Sequence, residues 1–432
     1  MQTNINRKLL LKLAMFFFLL FGIYLLFNKF NITNTKNNLD KKVVVNKSKN
    51  STGYIVQKDV GEVANVFSWG FNRHICFDDK SKIWWIFYYA LDDTKKPGWV
   101  VYKYSKNNGK TWSNQIKLSD LEKDAADFTI DCSPPYISVA YGDLGQSTIY
   151  WKKGIMQNEK IHWTVSSVAL FDPRSYTHVI PSIVYWNGVP VVSAHDQLES
   201  GIVGGHKRSY VTIAEDSEGK KWKPEVKVFD GIIKKDQNTL AFTSIAVAKN
   251  NLYALINGDT AEMYISEYIG DNNWTEAKPI QDFGYRGGTP EWTTITDSRG
   301  NLHVIYPSAK IQDRTIKHAV FDGNNWSYEF IPNTTKTRLN QLAATIDEKD
   351  SLYIVSGVDM NLSWLSENSK KEWKNNISIF KNTDQSIAFI NMMQKFVDGK
   401  IGVGWVEGEY INPTILFTCL QRNNDNSLKT CD

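Results

Sequence analysis

Residues 295–326, ITDSRGNLHVIYPSAKIQDRTIKHAVFDGNNW, decide the fold because they contain one complete sheet unit. A short apolar strand ends at Asp297, and the turn SRGN leads into the β-branched and aromatic run 302–306. A third strand is predicted over 316–321, and the turn GNN introduces a fourth strand that begins at Trp326. The stretch therefore predicts a four-stranded antiparallel meander, which with its flanks occupies about 50 residues.

The same unit recurs along the chain in different letters, each time with a tryptophan near its last strand. These tryptophans are spaced by 47 to 59 residues and are Trp112, Trp163, Trp222, Trp274, Trp326 and Trp373. One sheet per repeat at this period is typical of a radial propeller, because each sheet buries its faces against its neighbours. No long amphipathic helix is predicted after residue 60.

The repeat predicts an all-β fold, a seven-bladed β-propeller of four-stranded antiparallel blades over residues 53–425, followed by a tail at 426–432. The strand at 53–56 has no partner nearby in the sequence, and the last unit lacks a tryptophan-led fourth strand. We therefore expect the N-terminal strand to complete the last blade, which removes the edges that an open ring would expose.

The N-terminus has the pattern of an export signal. Arg7, Lys8 and Lys12 precede the uncharged run 13–27, and no small-residue cleavage site follows it. We predict a transmembrane or signal-anchor helix in 1–30 and a polar stalk in 31–52. Because the positive charges precede the segment, the propeller is expected on the extracytoplasmic side, anchored to the membrane, or secreted if the segment is cleaved.

Composition limits the partners and cofactors. The formal net charge of +4 over 432 residues is small, and the lysines are scattered, so nucleic acid is excluded as a partner and a monomer is expected. The sequence has no zinc-site spacing and predicts no cofactor, with a structural divalent cation left open. Four cysteines fit an oxidising compartment, with Cys76 and Cys132 as one candidate disulfide and Cys419 and Cys431 as another; buried free thiols are the alternative.

One turn in the first unit suggests a family. Residues 105–112, SKNNGKTW, resemble the Asp-box of bacterial neuraminidase repeats, with Asn107 in the aspartate position. Asn and Gly tolerate the positive φ of such a turn, and Trp112 is expected to pack between sheets. Residues 215–222 read as a decayed second copy. The resemblance implies the propeller fold and says little about the substrate.

The ligand face of a propeller is built from the loops that enter each first strand and leave each second strand, so polar residues there are candidates for ligand contact. We predict substrate binding by His74, Asp196, Arg286, Glu291, Trp292, Arg338 and Glu407.

The third unit carries the sharpest local signal. His178 opens its first strand and His195 closes the second, so a hairpin turning near Asn187 and Gly188 is expected to bring both imidazoles to one end. The alternative is a hydrogen-bonded pair that braces the channel mouth.

Residues 176–222 are similar to the repeat-containing propellers that include the ulvan-type polysaccharide lyases, through a His-x-x-Pro opening and an Ala-His ending. The resemblance implies that both histidines lie in the active site, with a tyrosine and an arginine that donate the proton and neutralise the uronate. The next unit departs from this pattern with Leu240–Phe242 and Ile256–Gly258. The candidate catalytic residues are therefore His178, His195, Tyr176, Arg174 and Arg73.

A sialidase-like interpretation fits less well, because the first unit opens with Asn72-Arg73-His74-Ile75 and lacks the proline of a sialidase start. Arg73, Arg286 and Arg338 would have to clamp the carboxylate. The sequence predicts an exported carbohydrate-active propeller, a lyase or glycoside hydrolase acting on an extracellular polysaccharide. The alternative is a non-catalytic propeller at the membrane surface that binds a glycan or a protein.

Overall fold

The structure is a computed structural model that describes residues 53–58, 67, 71–90, 99–118, 125–143, 148–171, 178–196, 208–230, 242–257, 263–280, 292–307, 315–331, 342–356, 361–365, 373–378, 387–408 and 413–431. Every regular element within these residues is a β-strand. The predicted membrane segment and stalk, residues 1–52, lie outside the described residues.

Three sheets formed by consecutive antiparallel strands come first in the chain. Sheet 1 contains β2 (Ile75–Asp78), β3 (Ile83–Ala90), β4 (Trp99–Ser105) and β5 (Ile116–Lys117). Sheet 2 contains β6 (Ala125–Ser133), β7 (Tyr136–Asp143), β8 (Thr148–Gln157) and β9 (Lys160–Phe171). Sheet 3 contains β10 (His178–Trp186), β11 (Val189–Asp196), β12 (Arg208–Ile213) and β13 (Val226–Asp230).

Three more sheets follow the same plan. Sheet 4 contains β14 (Phe242–Ala248), β15 (Asn251–Asn257), β16 (Met263–Gly270), β17 (Asn273–Trp274) and β18 (Lys278–Pro279). Sheet 5 contains β19 (Thr293–Thr296), β20 (Leu302–Pro307), β21 (Ile316–Phe321) and β22 (Trp326–Phe330). Sheet 6 contains β23 (Leu342–Ile346), β24 (Leu352–Ser356), β25 (Asn361–Leu365) and β26 (Trp373–Ser378).

Sheet 7 combines both ends of the described chain. It contains β27 (Ile387–Met392), β28 (Lys400–Glu407), β29 (Thr414–Arg422), β30 (Leu428–Thr430) and the N-terminal strand β1 (Tyr54–Gln57). β1 runs antiparallel to β29, with Tyr54 opposite Phe417, as the lone N-terminal strand predicted. The buried Lys103 of sheet 1 fixes β1 from the other side, because its Nζ donates to Val56 O at 2.9 Å and to Gln57 Oε1 at 2.7 Å.

The core lies between the sheets, and its packing corrects the predicted blade count. The buried side chains form six hydrophobic clusters among the described residues, not seven. The largest cluster is continuous from Tyr353 of sheet 6 through Trp405 of sheet 7 to Trp84 of sheet 1. The prediction of seven blades is therefore wrong: six blades are built from consecutive strands, and the sheet that combines both ends of the described chain shares one core with both of its neighbours.

The helical part of the predicted fold class also requires correction. The described residues form an all-β propeller without a helix. None of their segments meets the length and hydropathy that a membrane-crossing helix needs. The fold class of the described residues is therefore an all-β propeller, and the residues of the predicted transmembrane helix lie outside them.

The Asp-box-like turn has the hydrogen bonds that its sequence predicts. Asn107 Oδ1 accepts the Thr111 N–H at 2.9 Å, and Ser105 Oγ accepts the Gly109 N–H at 3.0 Å. Gly109 has a φ of 85°, which glycine adopts without strain. Trp112 packs at the edge of the cluster that joins sheets 7 and 1.

Two disulfides join the cysteine pairs that the sequence proposed. Cys76 of β2 and Cys132 of β6 connect sheets 1 and 2, with their Cα atoms 5.9 Å apart. Cys419 of β29 and Cys431, which follows β30, fasten the end of the chain to sheet 7, with Cα atoms 5.3 Å apart.

Candidate functional site: the central channel

The segment 72–74, immediately before β2, connects several sheets across the centre of the ring. The Asn72 side chain donates to Phe128 O of sheet 2 at 3.1 Å and to Pro181 O of sheet 3 at 2.9 Å. Asn391 of sheet 7 donates to Asn72 O at 2.9 Å and accepts the backbone N–H of His74 at 3.1 Å. These hydrogen bonds hold the backbone of residues 72–74 in place.

Arg73 reaches from this segment to the opposite side of the channel. Its guanidinium donates to Thr293 Oγ1 at 3.1 Å and to Thr294 O at 3.0 Å in sheet 5. A longer hydrogen bond of 3.4 Å reaches Ala344 O in sheet 6. Burial lowers the pKa of Arg73 to about 10, so the group remains a cation at neutral pH. The side chain thus places a positive charge inside the ring.

Two cavities open toward the face on which turns join the first and second strands of each sheet, and Arg73 lines one of them. The Arg73 cavity has a volume of about 260 Å³ and is lined by Arg73, Ile130 and the segment 393–397. The central cavity has a volume of about 320 Å³ and is lined by the ends of β6, β10, β14, β19 and β23, by Leu302 at the start of β20, and by Gln394 and Lys395, which follow β27. Both cavities share the lining residues Cys132, Ser133, Gln394 and Lys395. They therefore form one continuous recess.

Asp131 supplies a titratable carboxyl to the central cavity. Burial raises its pKa to about 6, and the charge of Lys395 opposes this shift. Tyr185 lines the same cavity, and its hydroxyl lies 2.8 Å from Ser138 Oγ. Burial is the main cause that raises the pKa of Tyr185 to about 12. The recess thus combines a cation, an ammonium group at its mouth, a carboxyl and hydroxyl groups.

His74, predicted to bind substrate, is instead enclosed by aromatic rings. Its ring lies edge-on to Phe128, with centroids 4.4 Å apart, and 5.5 Å from Phe67. The side chain is fully buried, and neither ring nitrogen has a hydrogen-bond partner in the described part of the chain. Burial, assisted by the charge of Arg73, lowers the pKa of His74 to about 3. His74 is therefore a neutral packing residue.

The predicted histidine pair of sheet 3 is only partly described. Both residues lie at the same end of the β10–β11 hairpin, but His178 pairs with Asp196, whereas His195 pairs with Val179. His195 is buried, and its ring lies edge-on to Phe242 of sheet 4 with centroids 5.0 Å apart. The side chains of His178 and Asp196 lie outside the described part, so their predicted roles stay predictions.

Trp292 and Glu407 also lie away from the recess. Trp292, predicted to bind substrate, is buried, has its ring tilted against Phe71 with centroids 5.0 Å apart, and donates from Nε1 to Ser244 Oγ at 2.9 Å, so the structure places it in the core. Glu407 ends β28, is half-buried, and has a pKa raised by burial. The other candidates lie outside the described residues and stay predictions: Arg174, Tyr176, Arg286, Glu291 and Arg338.

Asp131, Gln394 and Lys395 line the recess but were not predicted from the sequence. The available signal was polar character at the turn-proximal end of an inner strand, since Asp131 follows the apolar residues of β6 and Lys395 follows β27. The described ranges contain no group of three or more His, Cys, Asp or Glu residues that could hold a metal ion.

Comparison with known proteins identifies the fold of this chain but does not assign it to a family. No protein-family description matches the sequence, and no curated protein does so either. The BP39L lectin from Burkholderia pseudomallei superposes with a TM-score of 0.57 at 10% identity, over 84% of this chain and 100% of the lectin.

Two carbohydrate-active enzymes superpose less closely. The polysaccharide lyase Uly1 has a TM-score of 0.49 at 11% identity, over 86% of this chain and 94% of the lyase. The NanB sialidase from Streptococcus pneumoniae has a TM-score of 0.46 at 11% identity, over 85% of this chain and 71% of the sialidase. The similar structures are lectin, polysaccharide lyase, sialidase and arabinanase propellers. The superposition on the lectin shows that the chain has a β-propeller fold.

Proposed function

We propose that this protein handles a carbohydrate and that the recess in its central channel binds an anionic sugar. The observation that carries the proposal is the environment of Arg73. Its hydrogen bonds go to neutral carbonyl and hydroxyl oxygens, and none goes to a carboxylate among the described residues. The positive charge is therefore available to a ligand in the Arg73 cavity.

The rest of the recess supports the same ligand class. Lys395 is exposed at the mouth that both cavities share and adds a second cation. Asp131, Thr294 and Thr296 line the central cavity and offer oxygens to sugar hydroxyl groups. Hydrogen bonds to charged groups contribute about 1.5–3 kcal/mol each, so an anionic group between the two cations would dominate the binding energy.

Asp131 favours a second candidate function, turnover of the bound glycan. A carboxyl group with a pKa of about 6 exchanges protons near neutral pH, as a general acid or base of a hydrolase or lyase must. Asp131 and Tyr185 line one cavity, so both could reach one ligand. The enzyme would then use these residues rather than the histidines of sheet 3.

Export to an oxidising compartment completes the proposal. Two disulfides, one between neighbouring sheets and one at the end of the chain, are typical of proteins that fold outside the cytosol. An extracellular glycan would be accessible there.

The test is calorimetric titration with anionic and neutral polysaccharides, together with detection of reducing ends and unsaturated products. Lys395→Gln should weaken binding of an anionic glycan about tenfold, equivalent to about 1.4 kcal/mol. Lys278→Gln, at an exposed lysine of β18, is the matched control and should bind like the wild type. Equal affinity of the two variants, or preference for neutral glycans, would refute the anionic site. Turnover abolished by Asp131→Asn would establish the enzyme, and binding without turnover the lectin.

A further inference from the structure

Four titratable side chains form a line across sheet 5. Asp297 follows β19, His303 lies in β20, His318 in β21 and Glu329 in β22, so each strand of the sheet contributes one residue or its immediate neighbour. His303 and His318 lie on the same face of the sheet as Ile305 and Ile316, each two residues away, and those isoleucines pack against sheet 6. The line, called the sheet 5 relay below, therefore lies at the junction of sheets 5 and 6.

The two imidazoles meet head to head. His303 Nδ1 lies 2.8 Å from His318 Nε2, the ring centroids are 5.0 Å apart, and the ring planes differ by 8°. Coplanar rings at this centroid distance point nitrogen to nitrogen, so a single proton must lie between them. His318 Nδ1 is 2.6 Å from Glu329 Oε1, and His303 Nε2 is 3.4 Å from Asp297 Oδ2. The hydrogen bonds of the relay therefore run from Glu329 to His303, and a 3.4 Å electrostatic contact without hydrogen-bond geometry reaches Asp297.

Exposure decreases from one end of the relay to its middle. The side-chain exposure is 35% for Glu329, 1% for His318, 11% for His303 and 0% for Asp297. Protons therefore enter most readily from the Glu329 end.

Counting hydrogen-bond donors defines two protonation states. When Glu329 is ionised, it accepts the Nδ1 proton of His318, so Nε2 of that ring is left to accept from His303. One proton between the rings therefore satisfies both His303 Nδ1 and His318 Nε2. A second proton on His318 Nε2 would place two N–H groups against each other, and the contact between the rings would open.

The surroundings disfavour the second proton while the sheets are packed. Burial lowers the pKa of His318, the charge of His303 adds to this, and the hydrogen bond to Glu329 opposes it. Burial alone would raise the pKa of Asp297, but its contact with His303 and its hydrogen bonds from Asn301 lower the pKa below its ordinary value. The packed junction of sheets 5 and 6 therefore favours the state in which only one proton lies between the two imidazoles.

The groups that face the relay come from both sheets. In sheet 5, the Arg299 guanidinium lies 3.2 Å from Asp297 Oδ2. From sheet 6, the Trp373 ring lies edge-on to His318 with centroids 5.7 Å apart, and the Asp350 carboxylate accepts the Ser298 N–H at 2.8 Å. The contact of His318 with Trp373 links its protonation to the packing of the next sheet.

Sheets 4 and 6 show that the fold does not require histidine at this position. Tyr253 and Tyr353 each follow a leucine near the start of their second strands, as His303 follows Leu302. Their hydroxyls donate to Glu267 Oε1 and Asp347 Oδ2, both at 3.3 Å. Their pKa values are raised mainly by burial, so these groups stay protonated at neutral and acidic pH. An imidazole at this position is thus a feature of sheet 5 among these three sheets.

We propose that the sheet 5 relay is a proton-controlled contact, in which a second proton separates the two imidazoles and loosens sheet 5 from Trp373 of sheet 6. The direction follows from linkage. A histidine whose pKa is lower in the folded protein binds the extra proton more readily once the junction opens, so the contact is complete above about pH 6.5 and weakens as the pH falls. An acidic compartment would therefore loosen this junction before the rest of the ring.

Hydrogen exchange measured by mass spectrometry at pH 7.5, 6.5 and 5.5, corrected for intrinsic rates, tests the proposal on the wild-type protein. Peptides covering 315–331 and 373–378 should lose up to about tenfold more protection between pH 7.5 and 5.5 than peptides of sheet 2, in which the loss reports the global effect of His74. This excess is the change attributed to the relay. The double variant His303→Tyr/His318→Ile, which copies the pattern of sheet 4, should reduce the change to under twofold. His162→Gln, at an exposed histidine of β9, should behave like the wild type.

A uniform loss of protection over all sheets, or an unchanged pH response in the double variant, would overturn the proposal. A spectroscopic measurement on the wild type avoids dependence on variant folding. Scalar coupling across the N–H···N hydrogen bond between ¹⁵N-labelled His303 and His318 should be present at pH 7.5 and absent at pH 5.5. Its persistence at pH 5.5 would also overturn the proposal.

Discussion

Substitution of His74 by leucine should stabilise the protein and reduce its sensitivity to acid. The imidazole is fully buried between Phe67 and Phe128, and neither nitrogen has a hydrogen-bond partner in the described part of the chain. Leucine has a similar volume and no polar atom to bury. Because an unsatisfied buried polar atom costs about 1–3 kcal/mol, His74→Leu should raise the free energy of unfolding at pH 7 by about that amount.

The pH dependence follows from the lowered pKa. Burial lowers the pKa of His74 from 6.5 to about 3, so the unfolded chain binds a proton between these values that the folded protein does not. Stability from this group is therefore complete above pH 6.5 and lost as the pH falls toward 3. At 1.36 kcal/mol per pKa unit, the wild type should lose about 2.5 kcal/mol from this residue between pH 7 and pH 4.5. His74→Leu should lack that loss.

Urea unfolding followed by circular dichroism at pH 7.0 and 4.5 measures both effects. His162→Leu, at an exposed position of β9, is the control and should show the acid sensitivity of the wild type. If His74→Leu lost as much stability as the wild type between the two pH values, His74 would not be buried in its neutral form. A variant that is less stable than the wild type at pH 7 would show that the ring nitrogens are satisfied.

Two further predictions concern backbone turns and ring closure. Gly109→Ala should destabilise the protein by at least about 3 kcal/mol, because a Cβ at this position would lie 2.2 Å from the Phe417 ring. Gly188 is also at positive φ, but a Cβ there would have no atom within 4 Å, so Gly188→Ala should cost only about 1–2 kcal/mol. Thermal unfolding of both variants measures the difference, and equal losses of stability would contradict the prediction. Lys103→Met should weaken the attachment of β1, because the buried ammonium donates to Val56 O and the Gln57 side chain; faster proteolysis at residues 53–58 with the rest intact is expected, and unchanged proteolysis would contradict it.

Local turn chemistry made much of the fold predictable from the sequence. The Asp297–Gly300 turn is closed by hydrogen bonds within five residues of each other, and such short-range patterns determine where strands begin and end. The closing role of β1 was predictable because a strand without a neighbour needs a distant partner. The merging of three sheets into one cluster was not, since it depends on how side chains of distant strands fill shared space.

The candidate site was less predictable, because its groups meet through long-range geometry. The side chain of Arg73 bonds to residues more than 200 positions away, and no spacing encodes that reach. The register of the sheet 3 hairpin shifts at a bulge between Val179 and Ser182, where Ile180 adopts a φ of 55°. A bulge adds one residue to one strand, so a pattern of alternating residues could not predict which residue faces His195.

The composite sheet 7 has a consequence for biosynthesis. Tyr54 emerges from the ribosome about 360 residues before its partner Phe417. At roughly 5–20 residues per second, β1 waits on the order of 20–70 s without its partner strand. During that time its exposed Tyr54 and Ile55 are available to other nascent chains, so the yield of correctly closed rings should depend on how quickly translation reaches β29 and on holdase chaperones that shield the waiting strand.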